Sequence, residues 1–181
     1  VAQAAIGPKN VALAAEIAQA WQPIYFHPGR AKDVWGDALA AGLVDRDPAL
    51  GPLDVMAPVS LAIGEDTDTV LDQVRPTLAL YTGGMGARGK NFYNELTRRY
   101  GYEAEAELIQ DLYHDGKKDE AAAAVPEELI RAVSLIGPES YVKEHAGEFA
   151  AAGVSTLMVT PLADTHVGRV RLVERLRALL A

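Results

Sequence analysis

Alternating β and α segments place this chain in the α/β class, with a parallel sheet at its centre. Three observations carry that reading. Short apolar runs alternate with longer segments of helical periodicity. The longest run, Leu53 to Ile63, is apolar on both alternations, as a strand covered on both faces must be. The runs are also bounded by turn chemistry such as His27-Pro28-Gly29 and Gly64-Glu65-Asp66.

In order, Ala4 to Gly7 reads as the tail of a buried strand whose earlier part is absent. Lys9 to Gln19 follows as a helix, with Val11, Leu13, Ala14, Ala15, Ile17 and Ala18 as its apolar residues and Pro8 in the tolerated first-turn position. Trp21 to Phe26 reads as a buried strand, and Ala31 to Ala41 as a helix stopped by Gly42. Pro58 sits uneasily inside the strand Leu53–Ile63, because proline donates nothing to a ladder. Asp66 or Thr67 can cap the next helix, which carries Val70, Leu71, Val74 and Leu78 and is expected to kink or break at Pro76.

The alternation then stops. A glycine-rich loop from Thr82 leads to helices over Phe92–Arg99, Glu103–His114, Asp119–Ala124 and Pro126–Val133, an insertion of about residues 83–134. Gly137-Pro138 opens a helix with Tyr141, Val142, His145 and Phe149 on one face, closed by Gly153. Val154 to Thr160 reads as the last strand. Residues 164–181 read as an amphipathic helix, with Val170, Val173, Leu176 and Leu180 inward. The whole of 1–181 thus forms about four βα units, the first clipped. A closed (β/α)₈ barrel takes about 250 residues, and four strands alone leave two exposed edges. Either the chain is a fragment or two copies pair to close a barrel.

Composition narrows the function. With 49% hydrophobic and 23% charged residues, the chain has the make-up of an ordinary soluble globular protein. No apolar stretch has membrane-spanning length, and no signal peptide is evident, so a cytoplasmic location is expected. A net charge of −8 argues against a nucleic-acid partner. The chain has no cysteine, and its four histidines show no paired ligand spacing, so no metal site is expected.

The best candidate site is Gly7-Pro8-Lys9-Asn10-Val11. A glycine at a strand's end lets backbone approach a ligand, and the helix N-terminus beyond it offers free N–H groups to a phosphate. The residues by themselves favour a plain βα turn with a solvated lysine, since such turns are common in α/β folds. His27, after the second strand, either lines a substrate pocket as an acid or base or is a simple loop histidine. Thr82 to Lys90, TGGMGARGK, lacks the spacing of a nucleotide P-loop and follows a helix. It reads as a loop over a substrate pocket, with Arg88 or Lys90 meeting an anionic group, or else as a mere connection. His145 lies on an apolar helix face and reads as a packed histidine, and Glu103, Glu105, Glu107 and Asp111 as a solvated face.

Three stretches together resemble one group. They are Ala4-Ala5-Ile6-Gly7-Pro8-Lys9-Asn10-Val11-Ala12-Leu13-Ala14-Ala15-Glu16-Ile17-Ala18 with Trp21; Leu80-Tyr81-Thr82-Gly83-Gly84-Met85-Gly86-Ala87 with Asn91-Phe92; and Gly116-Lys117-Lys118-Asp119-Glu120-Ala121-Ala122 with Val125-Pro126-Glu127-Glu128-Leu129. In this order and spacing they resemble the F420-dependent oxidoreductases of the luciferase-like monooxygenase family, over the whole chain. The resemblance implies the C-terminal half of a (β/α)₈ TIM barrel, with a helical insertion before the last strand. It implies coenzyme F420 as cofactor, with FMN the alternative that family relatives use. It also implies hydride transfer between the deazaflavin and a small organic substrate. In the family the first turn holds the cofactor's phosphate-bearing side chain, which assigns Gly7, Pro8, Lys9, Asn10 and Val11 to cofactor binding. The family's ring-binding and hydride-transfer residues come largely from the front half and are not in this sequence. No catalytic residue is assigned here, and the chain alone is expected to be inactive. Its partner is then the missing N-terminal half or a second copy, in a homo-oligomer. The other class of reading is a non-catalytic half-barrel that homodimerises.

Overall fold

The computed structural model describes residues 1–65 and 67–181, so Asp66, one of the two expected helix caps, lies outside the described residues. The chain divides into two compact units, Val1–Thr67 with Val133–Ala181, and Asp68–Ala132.

The first unit is α/β, and every strand pairing in it is parallel. Its strands are β1 (Ala2–Ala4), β2 (Ala20–Gln22), β3 (Asp54–Ile63), β4 (Leu135–Gly137) and β5 (Thr156–Pro161). β3 is the hub. One of its edges carries β5 along Met56–Leu61, and the other carries β2 at Asp54–Val55 and β4 at Leu61–Ile63. That arrangement explains Pro58. Between Val55 and Leu61 the β2/β4 edge of β3 has no ladder partner among the described residues, which is where a proline does least damage.

Two strands differ from their sequence reading. β1 lies at Ala2–Ala4 rather than Ala4–Gly7. β2 is only three residues long, because the chain turns away after Gln22 and Tyr25 takes a left-handed φ of 47°. The strand β4, three buried residues after the helical region, has no counterpart in the sequence reading. Its run of apolar residues is too short to show a period.

The helices of this unit are α1 (Pro8–Ile17), α2 (Ala31–Val44), α8 (Glu139–Ala151) and α9 (His166–Leu180). Gly42 does not stop α2; the helix runs through it. A Cβ there would lie 2.0 Å from the Ala12 carbonyl oxygen and 2.8 Å from the Ala15 Cβ. Gly42 is therefore where α2 packs backbone-close on α1, whose Val11, Ala14 and Ala15 are buried. Leu13 and Ile17 of α1 are exposed rather than packed, as are Val170 and Leu180 of α9, where Leu176 is the buried residue. Gly153, at φ 96°, closes α8 as its sequence position suggested.

The second unit is helical: α3 (Asp68–Ala79), a π-helical turn (Leu80–Gly84), α4 (Phe92–Arg99), α5 (Glu103–His114), α6 (Lys118–Ala123) and α7 (Glu127–Ala132). Thr67 directly precedes α3 and is buried. α3 continues through Pro76 without a break, and the irregularity comes later, in the π-helical turn. The loop expected from Thr82 accordingly begins only after Gly84. Gly83 and Gly84 are packing residues: a Cβ on either would meet Tyr113, at 2.6 and 2.4 Å.

Candidate functional site

The turn between β1 and α1 is built by groups far from it in sequence. The Trp21 indole N–H donates to the Ala5 carbonyl at 3.0 Å, and the Trp35 indole N–H donates to the Ile6 carbonyl at 3.2 Å. These are the two residues before Gly7, so the turn hangs on two buried rings. Trp21 and Trp35 meet edge to face at 5.2 Å, and Phe26 stacks on Trp35 at 5.7 Å. The far end of α1 is fixed by Arg46, whose Nη1 donates to the carbonyls of Ala15 and Ala18, both at 2.7 Å. A cation there satisfies terminal carbonyls and faces the negative end of the helix. Sequence reasoning missed all three donors. The only available signal was that a buried indole N–H requires an acceptor.

The turn itself is open at the N-terminal end of α1. Gly7 is the N-cap, with φ −70° and ψ 147°, and no side chain caps the helix. Val11 N–H bonds back to the Gly7 carbonyl at 3.0 Å, and Pro8 has no N–H. The N–H groups of Lys9 and Asn10 precede the first intrahelical bond, so the helix gives them no acceptor. No acidic residue occupies the first turn, and Lys9 and Asn10 are exposed while Val11 is buried. Two other helix starts differ in having a side-chain cap: Asn91 Oδ1 accepts from Tyr93 N–H and Asn94 N–H at α4, and Thr165 Oγ1 accepts from Gly168 N–H at α9. The starts of α2, α5, α6 and α8 also lack a side-chain cap, but each carries an acid in its first turn.

His27 is half-buried and belongs to the same unit. Its pKa lies below the usual histidine value, first because of burial and then because of Arg30 and His145, with Glu148 acting in the opposite sense. The charges acting on it thus come from α8 and the start of α2, not from Lys9. His145 is buried, shares a 2.5 Å hydrogen bond with Glu148 through Nδ1, and packs edge-on against Phe149 at 5.1 Å.

Arg88 and Lys90 belong to the second unit. Arg88 pairs with Asp111 of α5, so that acid is not simply solvated. Lys90 is exposed and forms no salt bridge among the described residues. Behind it, Asn91 Nδ2 donates to the carbonyls of Tyr81 and Thr82, and Asn94 Nδ2 to those of Thr82 and Ala106. Two buried asparagines therefore tie together the π-helical turn, α4 and α5.

Among the described residues no helix is long and apolar enough to cross a membrane. In solved structures the fold matches a coenzyme F420-dependent tetrahydromethanopterin reductase from Methanopyrus kandleri, with a TM-score of 0.69 at 21% identity. That match takes in 99% of this chain and 47% of the other. It also matches an F420-dependent secondary alcohol dehydrogenase determined with an F420-acetone adduct, with a TM-score of 0.66 at 12% identity, over 99% of this chain and 48% of that one. In sequence, a Mycobacterium tuberculosis protein bearing the name coenzyme F420-dependent oxidoreductase is 36% identical over 156 residues, 85% of this chain and 45% of its own length. The chain thus spans about half the length of the relatives it matches. The family model for luciferase-like monooxygenases matches residues 1–156. With that much of its length matched, the chain belongs to the luciferase-like monooxygenase family.

Proposed function

We propose that this chain contributes to an F420-dependent oxidoreductase, and that its share is to hold the phosphate-bearing side chain of the cofactor at the Gly7–Val11 turn. The observation that carries this is the start of α1: an N-cap without a side chain, two N–H groups with no intrahelical acceptor and no acid in the first turn. Such an end attracts an anion through both its donors and its dipole. The absent Cβ of Gly7 lets the phosphate approach the backbone, and the Lys9 ammonium adds a charge at the rim. Pro8 holds φ for the first turn, and the indoles of Trp21 and Trp35 keep the turn in place. When bound, F420 supplies the hydride chemistry of its deazaflavin ring, acting on a small organic substrate; the chain's part is position and charge. His27 has no assigned part in that chemistry. Burial, with Arg30 beside it, lowers its pKa, which favours the neutral ring and makes it a weaker base than a free histidine.

The relatives named for F420 support the choice of cofactor. The test is fluorescence titration with F420 and, separately, with FMN. Saturable quenching of F420 with a weaker FMN response is the expected result. Preference for FMN moves the chain to the flavin branch of the family, and no response to either removes the reading.

A second reading is favoured by the sheet. The outer edges of β1 and β5 have no ladder partner among the described residues, and open edges of a parallel sheet call for cover. On this reading the chain is a half-barrel whose open edges pair with a second copy. Light scattering is expected to give twice the chain mass; a well-folded monomer counts against it.

A further inference from the structure

We infer that the cleft between α4 and α5 in the helical unit is a binding site for a small organic carboxylate with an apolar body, gripped by Gln110, Arg98 and Lys90. The cleft has a volume of about 800 Å³ and is lined by those three residues with Phe92, Asn94 and Glu103, among others.

Gln110 is only 4% exposed, and its Nε2 has no hydrogen-bond partner. A buried amide left unpaired is costly, and folded proteins rarely keep one without a use for it. The two asparagines that line the cleft with it are committed elsewhere. Asn94 spends both N–H groups on the Thr82 and Ala106 carbonyls and its Oδ1 on Arg98 Nε, at 2.9 Å. Asn91 is committed in the same way, with its amide on Tyr81 and Thr82 and its oxygen on the first turn of α4. The floor is therefore rigid and lacks one acceptor. Spacing along the helices puts the parts together: Glu103, Ala106 and Gln110 lie on one face of α5, and Asn94 and Arg98 on the facing side of α4.

The charges decide what supplies the acceptor. Arg98 is anchored through Nε, and its Nη1 stands 3.7 Å from Glu103, a loose pair with an acid that is 80% exposed. Its other donors remain available. Lys90 has no acidic partner among the described residues. Both acids that line the cleft, Glu95 and Glu103, are exposed and solvated, so their repulsion is screened, whereas Gln110 is buried and Arg98 is half-buried, with exposed Lys90 at the rim. Phe92, 65% exposed, offers an uncovered ring beside them. An anionic oxygen group with an apolar body fits all of these features. A neutral amide would use Gln110 and leave both cations unanswered. This inference stands on the helical unit alone and does not rest on the cofactor reading.

The test is a ¹H–¹⁵N NMR titration with 3-phenylpropionate, following the Gln110 side-chain amide and the Arg98 Nε–H, with 3-phenylpropanamide as the uncharged control. Saturable shifts of both signals are expected, with a dissociation constant on the order of millimolar or tighter. The neutral control and the Gln110→Met variant should each bind at least about tenfold more weakly. Absence of a saturable shift, equal binding of the neutral control, or a Gln110→Met variant that melts higher and binds unchanged would each overturn the proposal. The last result would mean that water, not a ligand, meets the amide.

Discussion

Both units of this protein hold irregular backbone with side-chain donors aimed at carbonyl oxygens, but they draw those donors from different distances. In the βα unit, Trp21 reaches Ala5 across 16 residues, Trp35 reaches Ile6 across 29 and Arg46 reaches Ala15 across 31. In the helical unit, Asn91 and Asn94 reach their carbonyls across 9 to 12 residues. The turn before α1 in the first unit is a product of tertiary packing, while the second unit's cleft is built by neighbours in sequence. The two should therefore fail differently when their supports are removed.

The largest effect is expected at the α1–α2 contact. Gly42→Ala drives a methyl into the Ala12 carbonyl and should cost about 3 kcal/mol or more, read by chemical denaturation. A cost below about 1 kcal/mol would mean that α2 can slide and that the turn does not depend on it. In the helical unit, Asn94→Leu leaves two carbonyls unmet and frees Arg98, for an expected loss of about 2–3 kcal/mol. Its local character sharpens the comparison: amide exchange should rise over α4, α5 and the π-helical turn and stay unchanged at β1. Arg46→Met should come next, at about 1–2 kcal/mol, since it uncovers the Ala15 and Ala18 carbonyls at a partly exposed site.

The smallest effect concerns pH. His27 has a folded pKa below its unfolded value, so the unfolded chain binds its proton more readily. The stability this contributes is complete above the ordinary histidine pKa and is lost as pH falls below it. His27→Gln should flatten that acid-side loss while leaving neutral stability little changed. An acid limb of unaltered slope would place the titrating group elsewhere.

The same contrast of distance explains what could be read from the sequence. The helices Phe92–Arg99 and Glu103–His114 lie where their periodicity puts them, because local pattern and local capping decide a helix. Gly42 and Gly83-Gly84 were legible as glycines but not as packing contacts, since the atoms that would clash, on Ala12 and Tyr113, lie about 30 residues away. β2 was overextended for a similar reason: Phe26 is apolar because it packs on Trp35 and Phe149, not because it continues a strand. Gly7, Pro8 and Lys9 could be picked out as a βα turn from strand–turn–helix chemistry, and it was the family resemblance that turned the turn into a cofactor assignment. The indoles and Arg46 that fix them could not, because nothing in a linear pattern says which carbonyl a distant donor will meet.

The most direct test of the central claim is F420 titration of the wild-type chain beside Lys9→Glu, with circular dichroism to confirm that both are folded. The wild type should bind saturably, and the charge reversal at the open end of α1 should weaken binding by about tenfold or more. Equal affinity in the two proteins, or no binding by a folded wild type, would contradict the assignment of the Gly7–Val11 turn to the cofactor.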